Sequence, residues 1–229
     1  VSTDDTRSRL LDAAGAEFAD HGFERATVRD ICRRAGVNLA SVNYYFGDKE
    51  RLYVETVKEA QRMRSEQVPA PQWDADVPPQ QKLRDFIGML LHRMLRARTA
   101  PWHARLMMRE VLKPTQACRE LAEEFFRPQF ELLQQIVTEL IPPGSEPHVV
   151  QQIAFSIVGQ CLFYRVAGEI VEFLIDDATR HEHYQIEQLA DHITRMSLAS
   201  LGAGPPLVGN RLGNAIKSSG NSIESLSGK

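Results

Sequence analysis

A chain of 229 residues with 43% hydrophobic and 25% charged side chains has ordinary globular proportions, enough for one large domain or two modest ones. A net charge of −3 excludes the overall basic field that coats nucleic acid without regard to sequence, so any anion-binding charge must be local. Cys32, Cys118 and Cys161 are far apart, odd in number and form no Cys-x-x-Cys, which argues against a disulfide framework or a cysteine-based zinc site and fits a reducing cytoplasm.

Arg7 to Asp20 reads as a first helix, followed by Gly22. Thr27 precedes a second and has Asp30 three residues on, so its hydroxyl can accept from an orphan backbone N–H. Val28, Ile31, Cys32 and Ala35 recur at helical spacing and leave Arg29, Arg33 and Arg34 on the other face. Gly36 can end that helix in a left-handed conformation, and Asn38 can cap the next, Asn38 to Phe46, with Val42 and Phe46 inward. Asn38, Ala40, Ser41, Asn43 and Tyr44 then face out as small and polar groups. Asp48 caps a fourth helix to about Gln67, whose first turn carries Lys49. From Arg25 to Lys49 there are five positive side chains (Arg25, Arg29, Arg33, Arg34, Lys49) against Asp30 and Asp48, a small basic patch.

The prolines of Val68 to Pro79 cannot continue a helix, and this stretch reads as a linker. Helices are expected over Gln80 to Ala97, Trp102 to Leu112, Gln116 to Phe126 and Phe130 to Ile141, with Pro128 kinking the last pair and Pro142-Pro143-Gly144 as a stop. Glu146 to about Ile175 is the longest apolar-periodic run, and Glu187 to Leu201 is the final helix. No stretch alternates with strand period, so the expected fold is all-α, a three-helix head and a larger helical domain. The expected division is residues 4–67, residues 80–202 and a disordered tail at 203–229, where glycine, serine and asparagine leave little apolar surface to offset ordering entropy. The apolar stretch Ile153 to Phe163 is short and interrupted, and no charged-then-apolar leader is visible, so neither membrane spanning nor secretion is expected.

Two short helices about a tight turn are the form of a helix-turn-helix DNA reader. The spacing Gly36-Val37-x-x-Ala40-Ser41-Val42-x-Tyr44-Tyr45-Phe46-x-x-Lys49-Glu50-x-Leu52 resembles the signature of TetR-family transcriptional regulators, and the likeness extends over about residues 6 to 57. Many members have tyrosine where this chain has Asn43 and a polar residue where it has Leu39, so the Asn-Leu-Ala-x-x-Asn-Tyr form resembles a subset of the family. Leu106-x-x-Arg109-Glu110-x-x-x-Pro114 and Arg127-Pro128 echo that subset's C-terminal domain.

The resemblance implies a homodimer whose two heads read a palindromic operator in double-stranded DNA, most simply a repressor released by a small-molecule effector. Asn43 is the candidate for a bidentate contact to adenine in the major groove, with Asn38, Ala40 and Ser41 close by. Thr27, Arg29, Tyr44, Tyr45 and Lys49 are candidates for phosphate contacts that fix register, although Tyr45 could equally pack in the core. Trp102, His103, Met107 and Arg109 either line a ligand pocket or are plain core. Arg165 either neutralises an anionic ligand or pairs with Glu169. Ala154, Ser156, Gly159, Ala167 and Gly168 are expected to let the last long helices approach their copies. Asp176, Asp177, His181 and His183 read as a solvated loop rather than a metal site. No cofactor is expected, and no catalytic motif points to an enzyme. The competing reading is a helical protein that sequesters a small molecule and has lost specific operator reading.

Overall fold

Residues 3–96 and 101–207 are described by a computed structural model, and every regular element among them is helical. Four helices form the head: α1 (Thr3–Arg25), α2 (Val28–Ala35), α3 (Leu39–Phe46) and α4 (Lys49–Gln67). The first is longer than the apolar periodicity of Arg7 to Asp20 suggests. It breaks at Gly22, where φ 76° and ψ 169° are accessible to glycine, and then makes one more turn.

The remaining helices are α5 (Pro79–Leu95), α6 (Pro101–Leu112), α7 (Gln116–Leu121), α8 (Arg127–Leu140), α9 (Pro147–Val166), α10 (Gly168–Leu174), α11 (Asp177–His183) and α12 (Ile186–Ser200). Between α7 and α8 a π-helical turn, Ala122–Phe126, keeps the chain helical through Pro128 instead of kinking it open. Proline lacks the N–H that an α-helix requires, and the wider turn absorbs the mismatch just before it. The long run from Glu146 to Ile175 is two helices, because the backbone leaves helical geometry at Ala167 (φ −104°, ψ 18°). The expected loop at Asp176 to His183 is α11, with the Asp176 side chain accepting from the Thr179 N–H at 3.0 Å. No group of three or more metal-ligating side chains occurs among the described residues. Residues 208–229, most of the expected disordered tail, lie outside the described residues.

Burial divides the molecule differently from chain order. One core joins the inner faces of α1 to α4 with Trp102, Leu106 and Met107 of α6 and Ala117 and Leu121 of α7. The other is built from α5, α8, α9 and α12. Thus α6 and α7, which follow the linker in sequence, are packed into the head. The contact is close: a Cβ on Gly15 would lie 2.4 Å from the Trp102 ring, so glycine alone admits this indole against α1. The non-helical segment before Pro79 is also tied down, Trp73 Nε1 donating to Asp85 at 3.0 Å and Arg93 Nε to the Val68 carbonyl at 2.7 Å.

Candidate functional site

Local rules build the reading head. Thr27 is the α2 N-cap, its hydroxyl accepting from the Asp30 N–H at 3.1 Å and donating to the Asp30 carboxylate at 2.6 Å. That hydroxyl, and next the Arg33 guanidinium, hold the Asp30 carboxyl below the usual carboxylate range. Gly36 ends α2 with φ 65° and ψ 39°, and Asn38 caps α3 by accepting from the Ser41 N–H and hydroxyl, each at 3.0 Å. Asp48 caps α4, accepting from the Arg51 N–H at 2.7 Å.

Val42 and Phe46 root α3 in the core, as their spacing requires, while Leu39, Ala40, Asn43 and Tyr44 are exposed on its other side. Tyr44 stands 77% exposed. Tyr45 packs half-buried against the head core with its ring edge-on to Tyr44 at 4.9 Å. Ser41 is half-buried, and Thr27 and Arg29 are exposed. Lys49 is less free than a solvated lysine: its Nζ lies 4.6 Å from the Phe23 ring centroid and 3.4 Å from the Glu24 carbonyl oxygen. Arg9 is a head residue that local sequence reasoning misses. Its guanidinium donates to the carbonyls of Ala35 (2.8 Å) and Gly36 (3.1 Å), closing the C-terminus of α2 from 26 residues away.

A cavity of about 530 Å³ lies among α4, α5, α6, the π-helical turn, α8 and α9. Its walls are largely apolar, including Phe86, Leu90, Met107, Met108, Phe130 and Leu133, and they carry Arg64, Arg93, Arg127 and Arg165. Of the five expected pocket residues, Met107 and Arg165 line it, and Trp102, His103 and Arg109 do not. Trp102 is buried against Gly15, and Arg109 reaches the other way, donating to the Ala19 carbonyl at 3.2 Å near the end of α1. His103 is 4% exposed beside Trp102, and burial pushes its imidazole below the usual range. The two sides of a helix are some 10 Å apart, and helical spacing alone does not say which side meets which neighbour. Arg165 forms no ion pair with Glu169 among the described residues; the break at Ala167 lies between them.

The other face of α6 clamps the head. Tyr53, on α4 and 4% exposed, donates its hydroxyl to the carboxylate of Glu110, which also accepts from the Thr115 N–H (3.2 Å) and hydroxyl (3.1 Å). Burial first, and then this carboxylate, raise the Tyr53 pKa far above that of a free phenol. The residues Leu106, Arg109 and Glu110 are therefore joined to the head, Met107 packs in the head core and also lines the cavity, and Met108 lines the cavity.

Comparison with known proteins gives this arrangement a family. Residues 79–201, more than half of the chain, match the C-terminal domain of the HTH-type transcriptional dual regulator CecR, and residues 10–56 match the bacterial regulatory proteins of the tetR family. The dual regulator CecR of Shigella flexneri is 25% identical over 182 residues, 75% of this chain and 80% of the relative. The regulator BetI of Agrobacterium fabrum is 42% identical over 52 residues, 23% of this chain and 25% of that protein. A TetR-like transcriptional regulator from Rhodococcus sp. RHA1 has the same fold, with a TM-score of 0.58 at 19% identity over 86% of this chain and 96% of that one. A DNA-binding helix-turn-helix head joined to a CecR-type helical body makes this chain a member of the TetR family of transcriptional regulators.

Proposed function

We propose that this protein acts in the cytoplasm as a homodimeric repressor that holds a palindromic operator and releases it when a small molecule enters the cavity. The observation that carries this reading is α3: Val42 and Phe46 anchor it, and a face of Leu39, Ala40, Asn43 and Tyr44 is left exposed among the described residues. An α-helix presented in this way fits the major groove, where Asn43 reads adenine and Lys49, Thr27, Arg29 and Tyr44 take phosphates. No protein hydrogen bond occupies the Asn43 side chain among the described residues, whereas the Asn38 amide oxygen already caps α3. Asn38 therefore orients the helix, and Asn43 reads the base.

Dimerisation is supported by α9 and α10, which leave Phe155, Phe163, Val166, Ile170, Phe173 and Leu174 exposed. The helix α9 has the length and apolar composition to cross a membrane, but Val150, Ala154, Ile157 and Cys161 root it in the protomer core. A second copy is the occupant that a symmetric operator requires. Ala154 and Ala167 are buried within the protomer, so close approach falls to the exposed Ser156 and Gly159.

Gel-shift titration against DNA flanking the gene tests the proposal. A shift that is sequence-selective and weakens steeply with salt is expected. Equal affinity for operator and unrelated DNA would leave the small-molecule sequestering reading instead.

A further inference from the structure

We infer that the cavity takes an amphipathic anion, a carboxylate, sulfonate or phosphate carried on an apolar body, with Arg64, Arg93 and Arg165 as its counter-charge. This inference rests on the reading of the cavity as the effector site and names the chemistry of that effector.

Among the described residues, the lining of the cavity contains four arginines and no aspartate or glutamate. Arg127 is paired outside the cavity with Glu123 at 2.8 Å. The other three have no carboxylate within ion-pair distance among the described residues. Arg64 donates to the Arg93 carbonyl, while Arg93 donates to the Val68 carbonyl (2.7 Å) and the Gln129 side-chain oxygen (2.8 Å). These acceptors satisfy N–H groups without cancelling charge. Burial, then the like charges of Arg165 and Arg93, push the Arg64 guanidinium down to about 10, so the site is short of negative charge.

Each of the three arginines sits in the last turn of its helix, α4, α5 and α9, where the carbonyl ends carry partial negative charge. That offsets roughly half a charge apiece and explains why the side chains are tolerated, but it leaves a net positive pocket. A neutral guest filling the apolar walls would strip water from uncompensated guanidiniums, whereas an anionic head would pair with them. The walls supply the apolar half of the requirement, with Phe86, Leu90, Met107 and Phe130 around the arginines.

The same residues give the anion a route to the head. Arg64 lies 15 residues past Lys49 on α4, about 22 Å along one rigid helix. On α6, Met107 and Met108 line the cavity while Arg109 and Glu110 hold α1 and α4. A guest that draws Arg64 from the Arg93 carbonyl toward its own head shifts the helix that carries the DNA-reading unit, provided it prefers that arrangement.

The test uses two dyes with one skeleton, 1-anilinonaphthalene-8-sulfonate and N-phenyl-1-naphthylamine, which differ by the sulfonate. Fluorescence titration of the full chain is expected to give at least about tenfold tighter binding of the sulfonate dye, the range of a charge-assisted hydrogen bond. Arg165→Met and Arg64→Met should each erase most of that preference while leaving the neutral dye bound as before. Similar affinity for both dyes in the wild type, binding of neither, or a sulfonate preference surviving both substitutions would overturn the inference. Operator gel shifts on the same samples separate the two readings. Loss of specific DNA binding with the dye preference intact removes the regulator reading alone, and the converse removes the anion pocket alone.

Discussion

Replacing Tyr53 by phenylalanine isolates the clamp between head and body. The ring lies edge-on to Phe18 at 4.8 Å and to Phe23 at 5.1 Å, and phenylalanine keeps both contacts without leaving a cavity. What disappears is one donor to the buried Glu110 carboxylate, which keeps the Thr115 N–H and hydroxyl. A bond to a charged acceptor contributes about 1.5–3 kcal/mol. Because two donors remain, the lower part of that range applies, about 1.5–2 kcal/mol. For a protein of this size each kcal/mol moves the melting midpoint by about 2–4 °C, so the variant should melt roughly 3–8 °C lower. The pH dependence has a definite sign. The Tyr53 pKa is raised above the ordinary phenol value of 10.0, so above about pH 10 the unfolded chain releases a proton that the folded one keeps, and stability falls. Tyr53→Phe lacks this loss, and its deficit should narrow as pH rises through that window. Thermal melts by circular dichroism at pH 7 and pH 10.5 measure both effects. A midpoint within about 1 °C of wild type at pH 7 would refute the claim that this bond holds α6 to α4.

Other substitutions probe the remaining elements. Lys49→Ala should weaken binding to all DNA sequences alike and lower the slope of log affinity against log salt by about one, whereas Asn43→Ala should relax preference at a single base pair by roughly 1–3 kcal/mol. A selective loss for Lys49→Ala, or a uniform one for Asn43→Ala, would reverse their assignments. Gly36→Ala meets no atom nearer than Arg9 Nη2 at 3.7 Å, so its cost is the left-handed backbone at φ 65°, about 1–2 kcal/mol; unchanged denaturant melting would contradict this. Phe173→Glu places a charge on a side chain 87% exposed, so sedimentation should show monomers with an unaltered helical spectrum. A persistent dimer would move the interface elsewhere.

How much was legible in the sequence depended on the distance over which each determinant acts. Thr27, Gly36, Asn38 and Asp48 set helix ends through bonds to backbone three or four residues away, and spacing brought Val42 and Phe46 inward. The break at Ala167 was not legible. Glu146 to Ile175 keeps its apolar period across Ala167, no proline marks the break, and a single glycine in a helical pattern, here Gly168, is tolerated without ending a helix.

Local chemistry alone determined an all-helical chain, its capped reading head and the proline-rich junction, since these follow from backbone bonding and side-chain period within a few residues. Tertiary structure alone decided that α6 belongs to the head's core, that Arg109 faces α1 while Arg165 faces the cavity, and that Arg9 closes α2. A helix carries side chains all round its axis, and which sector meets a neighbour is settled only when distant segments compete to bury apolar surface against one another.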